Sequence, residues 1–356
     1  MGRFIAFRSA GCGIQHQAIE DWRARKEAAG EYACYRRGED VRLRALVANY
    51  ADSPADVNVT LRVRPGRPED AGPVVFSTDL QPTLRRHGTT ELDAVWTSPR
   101  LEETFYTVEA VLLRDGVEVD SLRNGFVVWD EGVLRRGPEI EVGESYLRRN
   151  DRNAFLCGTG DAGYPYWAES ENPLVWDQQF RLMRDYGLRY YRCMHFLHHF
   201  PVLENLEEAD SDTRTRLRRL DALVQLAHEH GLMYLFQDNF RLQLARDEPD
   251  ELAARMKVLS MLAERYRPAK GFVFNSDHQE FLRGRNPHSH EAFRRFLKEK
   301  YGTFERLRDA WETVDAQGFE DIRLDEGAAR RAPWNSVMAR DTGAFLDTYR
   351  EAWRLH

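Results

Sequence analysis

The hydrophobic period of this 356-residue chain changes near Asn150, from a repeat of two to apolar runs that alternate with helices of period 3.6. A segment patterned for one period cannot bury its apolar face in the other, so the two halves must take different architectures. From Tyr32 to Trp129 the apolar residues fall on every second position: Val41, Leu43, Ala45 and Val47; Val57, Val59, Leu61 and Val63; Tyr106, Val108, Ala110 and Leu112. Each run turns one apolar face inward. Pro54, Pro65-Gly66, Gly72-Pro73 and Asp115-Gly116 separate the runs, and Asp115-Gly116 between two alternating segments predicts a hairpin. About seven short strands in roughly 100 residues is the pattern of an immunoglobulin-like β-sandwich, here over residues 31–130. The first 30 residues differ: Ile19 to Ala29 is rich in Ala, Glu, Arg and Lys and reads as a short helix in a leader segment. Residues 131–150 read as a linker.

After Asn150, strand-like runs at Ala154–Gly158, Leu188–Met194, Leu232–Phe236 and Gly271–Asn275 are followed by helical patterns at Leu174–Tyr186, Thr213–His230, Glu251–Tyr266 and His290–Tyr301. In the second helix Leu217, Leu220, Leu223, Val224 and Ala227 recur at three and four, and Gly231 stops the pattern. Gly158-Thr159-Gly160 lacks the third glycine of a dinucleotide fingerprint and does not run into a helix, which argues against a doubly wound nucleotide fold. Four βα units in order predict a TIM (β/α) barrel over residues 151–356, with functional residues at the strand carboxyl ends. A complete barrel takes ~250 residues, more than remain after Asn150. Beyond the fourth run come only helical patterns, Phe304 to Glu312 and Asp341 to Trp353. Half a parallel barrel leaves open edges. The expectation is a partial barrel, its first half, from the amino-terminal part of a longer polypeptide.

Composition narrows the function. The chain has 51 basic and 58 acidic residues, a formal charge of −7, and no basic block or aromatic-studded basic stripe, which argues against a nucleic-acid partner. No apolar stretch approaches the ~20 residues of a membrane span. Met1 to Gly13 lacks the apolar core of a signal peptide. These are the patterns of a soluble chain. Cys12, Cys34, Cys157 and Cys193 stand far apart without metal-ligand spacing, and Cys157 and Cys193 lie in apolar runs where a buried thiol is expected. Asn58-Val59-Thr60 fits the glycosylation pattern, which by itself proves no secretory route. His228 and His230, near a helix C-terminus, read as surface residues that compensate the helix dipole. No motif calls for a cofactor.

The predicted strand ends carry the chemistry. The first delivers Asp161, Tyr164, Tyr166, Trp167 and Glu169; the second Arg192, His195, Phe196, His198 and His199; the third Gln237, Asp238, Asn239 and Phe240. The fourth, Phe272-Val273-Phe274, ends in Asn275, Asp277, His278, Gln279 and Glu280. Aromatics interleaved with acids suit a carbohydrate, because pyranose faces stack on indole or phenol while carboxylates and amides take the hydroxyls.

Three functions compete for this constellation. Glycoside hydrolysis needs two carboxyl groups, one protonated as general acid and one ionised as nucleophile or base. Glu280 is the candidate acid/base and Asp277 the alternative. Arg192 can hold a neighbouring carboxylate ionised, His195 shapes the pocket, Asn275, Gln279, Asp161 and Asp238 are candidates for sugar hydroxyls, and Tyr166 and Trp167 for stacking. The plainer reading of each acid is a solvated loop residue or a helix cap. Metal-assisted hydrolysis by His195, His198 and His199 is the second function, disfavoured because these residues lie on a strand-to-loop segment without a His-Glu-x-x-His pattern. A non-catalytic carbohydrate-binding or scaffold module is the third, and it needs no second carboxylate.

At these residues the chain resembles a known clan. The passage from Gly125-Phe126-Val127-Val128 through Glu144–Asn153 to Ala154-Phe155-Leu156-Cys157-Gly158-Thr159 resembles the passage from sandwich to barrel in retaining glycoside hydrolases of family 2, which include β-galactosidases and β-glucuronidases. Arg192-Cys193-Met194-His195-Phe196 resembles that family's Arg-x-x-His-aromatic segment at the end of the second barrel strand. Phe293 to Trp311, with Lys300-Tyr301-Gly302-Thr303, resembles instead the helix after the acid/base residue in family 42 β-galactosidases. The resemblance touches most of residues 32 to 315. It implies a sandwich followed by a barrel, β-galactosidase-like hydrolysis of O-glycosidic bonds, and an acid/base glutamate after an amide at the fourth strand. That glutamate maps to Gln279-Glu280, where the family usually has Asn-Glu. The family's nucleophile comes from a seventh strand, which the predicted elements do not include.

Overall fold

The computed structural model of the protein describes residues 5–11, 32–142, 147–149, 152–161, 172–195, 211–238, 249–276, 287–311, 316–324 and 336–354. The helix expected over Ile19–Ala29 lies outside them. The chain forms two compact units: Met1–His195, Leu203–Phe236 and Arg265–Phe274 make the first, and Phe196–Val202, Gln237–Glu264 and Asn275–His356 the second.

In the first unit the period-two runs are strands. They comprise β1 (Ile5–Gly11), β2 (Cys34–Tyr35), β3 (Val41–Asn49), β4 (Ala55–Asp56), β5 (Asn58–Pro65), β6 (Phe76–Leu80), β7 (Thr83–Leu84), β8 (Thr89–Trp96), β9 (Phe105–Arg114) and β10 (Val117–Val128). One sheet has the order β1-β3-β8 and the other β2-β10-β9-β5-β6, with β4 and β7 forming a small pair of their own. The alternating residues Val41, Leu43, Ala45 and Val47 of one sheet meet Val59, Leu61, Val63, Tyr106, Val108, Ala110 and Leu112 of the other in a single buried core. Each fully buried valine or leucine of this core contributes about 1.5–3 kcal/mol. Tyr106 stacks on Phe126 at 5.1 Å, and its hydroxyl accepts from the Glu102 backbone at 2.9 Å. The predicted hairpin joins β9 to β10: Asp115 and Gly116 sit at φ 52° and 75°, the left-handed pair of a type I′ turn.

The expected linker holds structure of its own. Helix α1 (Glu131–Arg136) is capped by Asp130, whose carboxylate accepts from Gly132 N at 2.7 Å. Strands β11 (Glu141–Val142), β12 (Leu147–Arg149) and β13 (Arg152–Asn153) pair antiparallel. The strand expected over Ala154–Gly158 begins at Gly158 instead. Residues 154–157 have no regular structure, because Ala154 N is still bonded to Leu147 O of the preceding hairpin and the next ladder opens only at Cys157 O. Phe155 is 91% exposed in consequence, and Cys157, expected as a buried thiol, is exposed too. Cys193 is buried as expected.

The βα alternation follows: β14 (Gly158–Asp161), α2 (Pro173–Asp185), β15 (Tyr190–His195), α3 (Ser211–Glu229), β16 (Met233–Asp238), α4 (Pro249–Arg265) and β17 (Phe272–Ser276). Asn172 caps α2 through Leu174 N and Val175 N, with Pro173 pre-set at the first helical position. Gly231, at φ 70°, ends the α3 segment. The strands form one sheet in the order β14-β15-β16-β17, and no fifth strand joins it among the described residues. β14 and β15 run parallel, with Gly158 opposite Tyr190 and Gly160 opposite Arg192. Met233 N donates to Arg189 O and Tyr234 N to Gly271 O, so the later strands also start side by side. Along β15, Tyr191 and Cys193 are buried, Tyr191 edge-on to Phe180 of α2 at 5.3 Å. Tyr190 and Arg192 are half-buried on the opposite face. Tyr191, Tyr234, Phe272 and Tyr266 continue the helix-facing side as an aromatic row.

The second unit has a helical core. α5 (Pro287–Tyr301), α6 (Phe304–Trp311), a 3-10 turn at Phe319–Asp321 and α7 (Val337–Arg354) bury Phe293, Leu297, Leu307, Trp311 and Phe345 together. The Lys300-Tyr301-Gly302-Thr303 segment is a helix junction. Gly302 takes φ 74° after α5, and Lys300 and Tyr301 both bond to Asp341 of α7.

Candidate functional site

The described residues cover the expected site unevenly. Asp161, His195 and Asp238 are the last residues of β14, β15 and β16, and Asn275 is the penultimate residue of β17. Asp161, Arg192 and His195 belong to the first compact unit, Asp238 and Asn275 to the second. Tyr166, Trp167, Asp277, Gln279 and Glu280 lie outside the described residues, as do His198 and His199. Among the described residues no group of three or more His, Cys, Asp or Glu side chains has a metal-binding arrangement. No helix among them is long and apolar enough to cross a membrane.

Arg192 is the candidate whose side chain is described. It lies half-buried on the sheet face turned away from α2 and makes no hydrogen bond or ion pair among the described residues. Its neighbour across the ladder is Gly160, and a Cβ on that glycine would stand 2.9 Å from Arg192 Nε and 3.5 Å from its Cζ. The arginine therefore lies across the bare backbone of β14. Gly158, one step earlier on the same face, is covered in the same way by the Tyr190 ring and by the Tyr190 carbonyl. Chemically, this is a cation held on a sheet face next to the strand end that Asp161 closes.

Beneath the sheet, the first unit contains a charged network that sequence reasoning missed. Asp177 of α2 is fully buried. Arg67 donates to its Oδ1 from Nε at 2.9 Å and from Nη2 at 2.7 Å, His230 Nε2 lies 2.8 Å from the same oxygen, and Arg67 also bonds to Glu229 at 2.6 Å. Burial alone would push the Asp177 carboxyl up, but the His230 and Arg67 hydrogen bonds and the Arg67 charge together outweigh it and bring the carboxyl down to about 2. Asp221 of α3, also fully buried, accepts from Arg265 Nε at 2.8 Å, Arg265 Nη2 at 2.5 Å and Tyr266 OH at 2.9 Å. Arg36 reaches the same carboxylate at 3.4 Å while its guanidinium covers Trp129 at 4.3 Å. Here too burial is opposed by cations, chiefly Arg265, and the carboxyl titrates below its usual range. Arg67 and Arg36 come from the sandwich and the acids from the βα helices, so the pairs tie the two layers together.

The histidines expected on the surface are buried. His228 is 3% and His230 7% exposed. His228 donates from Nδ1 to Val224 O at 2.8 Å and accepts Gly271 N–H at Nε2 at 3.2 Å, which fixes a neutral ring. Burial pushes its pKa down to about 4, against a smaller opposite effect of the Val224 bond. The α3 C-terminus points into the unit rather than into water, so dipole compensation is not their role. A signal for the acids was present: Asp177 and Asp221 each interrupt an apolar helical face, beside Trp176 and Leu220. A lone acid there must have an internal partner.

No protein-family model matches the chain, and no curated protein matches it. Solved structures with local similarity are glycoside hydrolases. A β-glucuronidase from Bacteroides uniformis is 15% identical at a TM-score of 0.28, covering 67% of this chain and 31% of that one. A glycosyl hydrolase family 2 member from Bacteroides cellulosilyticus is 16% identical at 0.27, covering 72% and 31%. An exo-chitosanase from Amycolatopsis orientalis is 13% identical at 0.25, covering 66% and 26%. Superpositions this loose do not establish a common fold, and the chain spans less than a third of each of these structures.

Proposed function

We propose that the chain carries the acid/base half of a retaining glycoside hydrolase site acting on a β-linked sugar, with an immunoglobulin-like sandwich bracing the first half of a TIM barrel. Support comes from one observation above the others: Arg192 to His195 of the Arg-x-x-His-aromatic segment lie in the second strand of a βα sheet, with Arg192 on the face away from α2. Protonated Glu280 would donate to the glycosidic oxygen, with Asp277 as the alternative donor. Arg192, His195, Asn275, Gln279, Asp161 and Asp238 would shape the pocket, and Tyr166 or Trp167 would stack on the sugar.

The test is hydrolysis of a natural β-glycoside by the polypeptide as its source makes it. Glu280→Gln is expected to lower kcat by about 10²-fold or more, with a smaller loss on an activated aryl glycoside whose leaving group needs little protonation. Wild-type turnover of the natural glycoside by Glu280→Gln would reject the assignment. Activity that a chelator abolishes would favour the histidine-based alternative.

A further inference from the structure

Two glycines on one face of β14 stand opposite two large side chains, and they are there for different reasons. Neither Gly158 nor Gly160 is among the residues with positive φ, so conformational freedom does not explain them. A Cβ on Gly158 would strike the Tyr190 ring and the Tyr190 carbonyl, so the ladder itself requires a glycine. For a Cβ on Gly160 the three nearest atoms all belong to the Arg192 side chain, Nε at 2.9 Å, Cβ at 3.3 Å and Cζ at 3.5 Å. Its bareness serves that one side chain.

Arg192 itself is half-buried and unpaired among the described residues, whereas Arg36, Arg67, Arg218 and Arg265 of the same unit each meet a carboxylate. Withdrawing a guanidinium from water without a partner stabilises nothing. A planar guanidinium fork held beside a strand is suited to bidentate capture of a carboxylate. We propose that Gly160 is a positioning residue, which seats the Arg192 guanidinium across β14 as the receptor for a carboxylate at the strand end. This rests on the glycosidase reading. The carboxylate belongs either to an acidic sugar or to a side chain of the protein that must stay ionised.

The experiment uses the full chain and the variants Gly160→Ala, Arg192→Ala and the double variant. Two quantities are measured: affinity for D-glucuronate and for methyl β-D-glucoside by calorimetry, and Asp and Glu carboxyl titrations by carbon-detected NMR. If the ligand supplies the carboxylate, wild type binds glucuronate about tenfold more tightly than the glucoside, and each single variant loses that margin. If the protein supplies it, the two sugars bind alike and one carboxyl pKa rises by about one unit in each single variant. In both cases the double variant matches Arg192→Ala, since the added methyl then has no guanidinium to displace. Wild-type behaviour of either single variant in both measurements overturns the proposal. Should Gly160→Ala fail to fold, the double variant decides: folding and matching Arg192→Ala supports the seat, and failing to fold overturns it. Failure of the glycosidase reading shows separately, as no binding of either sugar while the carboxyl titration still follows Gly160 and Arg192.

Discussion

Arg67, in the loop after β5, donates twice to one oxygen of Asp177 on α2, at 2.9 and 2.7 Å, across 110 residues of sequence. The carboxylate is fully buried and the arginine side chain is 25% exposed. Removing Arg67 leaves a buried charge with His230 and Arg181 as its remaining partners. Arg67→Ala is therefore expected to destabilise the first unit by about 3 kcal/mol or more. Urea unfolding would measure it. Because the pair joins sandwich to helix, tyrosine fluorescence from β9 and aromatic signals from β16 should shift to lower urea together.

His228 makes the protein acid-sensitive in a defined window. Its folded pKa lies at about 4, below the ordinary 6.5, so the neutral ring stabilises the fold above pH 6.5 and that contribution is lost as pH falls through 4. The difference corresponds to about 3 kcal/mol. Asp177 acts lower, its contribution present above 3.8 and lost toward 2. His228→Leu should be less stable at neutral pH, because Gly271 N–H loses its acceptor, and should show a flatter stability profile between pH 6.5 and 4. An unchanged slope in that variant would assign the acid sensitivity elsewhere.

Asp341 is the anchor of the second unit. Tyr301 OH and Trp311 Nε1 donate to its Oδ2 at 2.5 and 2.8 Å, and Lys300 donates to Oδ1. Burial and the bond to this carboxylate push the Tyr301 phenol up to about 12. Asp341→Asn is expected to bring the Tyr301 titration back toward 10, read by absorbance at alkaline pH. It should also loosen α7 from α5 and α6, at a cost of about 3 kcal/mol.

At the β9–β10 hairpin, Gly116→Ala places a Cβ at φ 75° in open space. The expected cost is about 1 kcal/mol from backbone strain alone. Asp115→Asn, at φ 52°, should be nearly neutral, since asparagine tolerates that region. Thermal melts of the two variants compare the positions directly.

Local period and turn chemistry were enough to read much of the architecture from the chain itself. Val41 to Val47 and Tyr106 to Leu112 had to put one face inward as strands, Asp115-Gly116 had to turn, and Leu217 to Ala227 had to form a helix with one buried stripe, because these outcomes depend on neighbours a few residues away. What only tertiary structure decided depends on groups far apart in sequence. Residues 154–157 are apolar enough for a strand, yet their backbone has no ladder until Cys157 O meets Arg189 N. His228 and His230 look like solvated helix-end residues until Gly271 and Asp177 close over them. Asp177 stays an ionised core acid because His230 and, from the loop after β5, Arg67 reach it, and Asp221 chiefly because Arg265 does, with Arg36 a further contact. Arg192 was legible as a candidate, but its seat on Gly160 was not, since a parallel register sets which glycine lies under which arginine and no short-range pattern encodes that pairing.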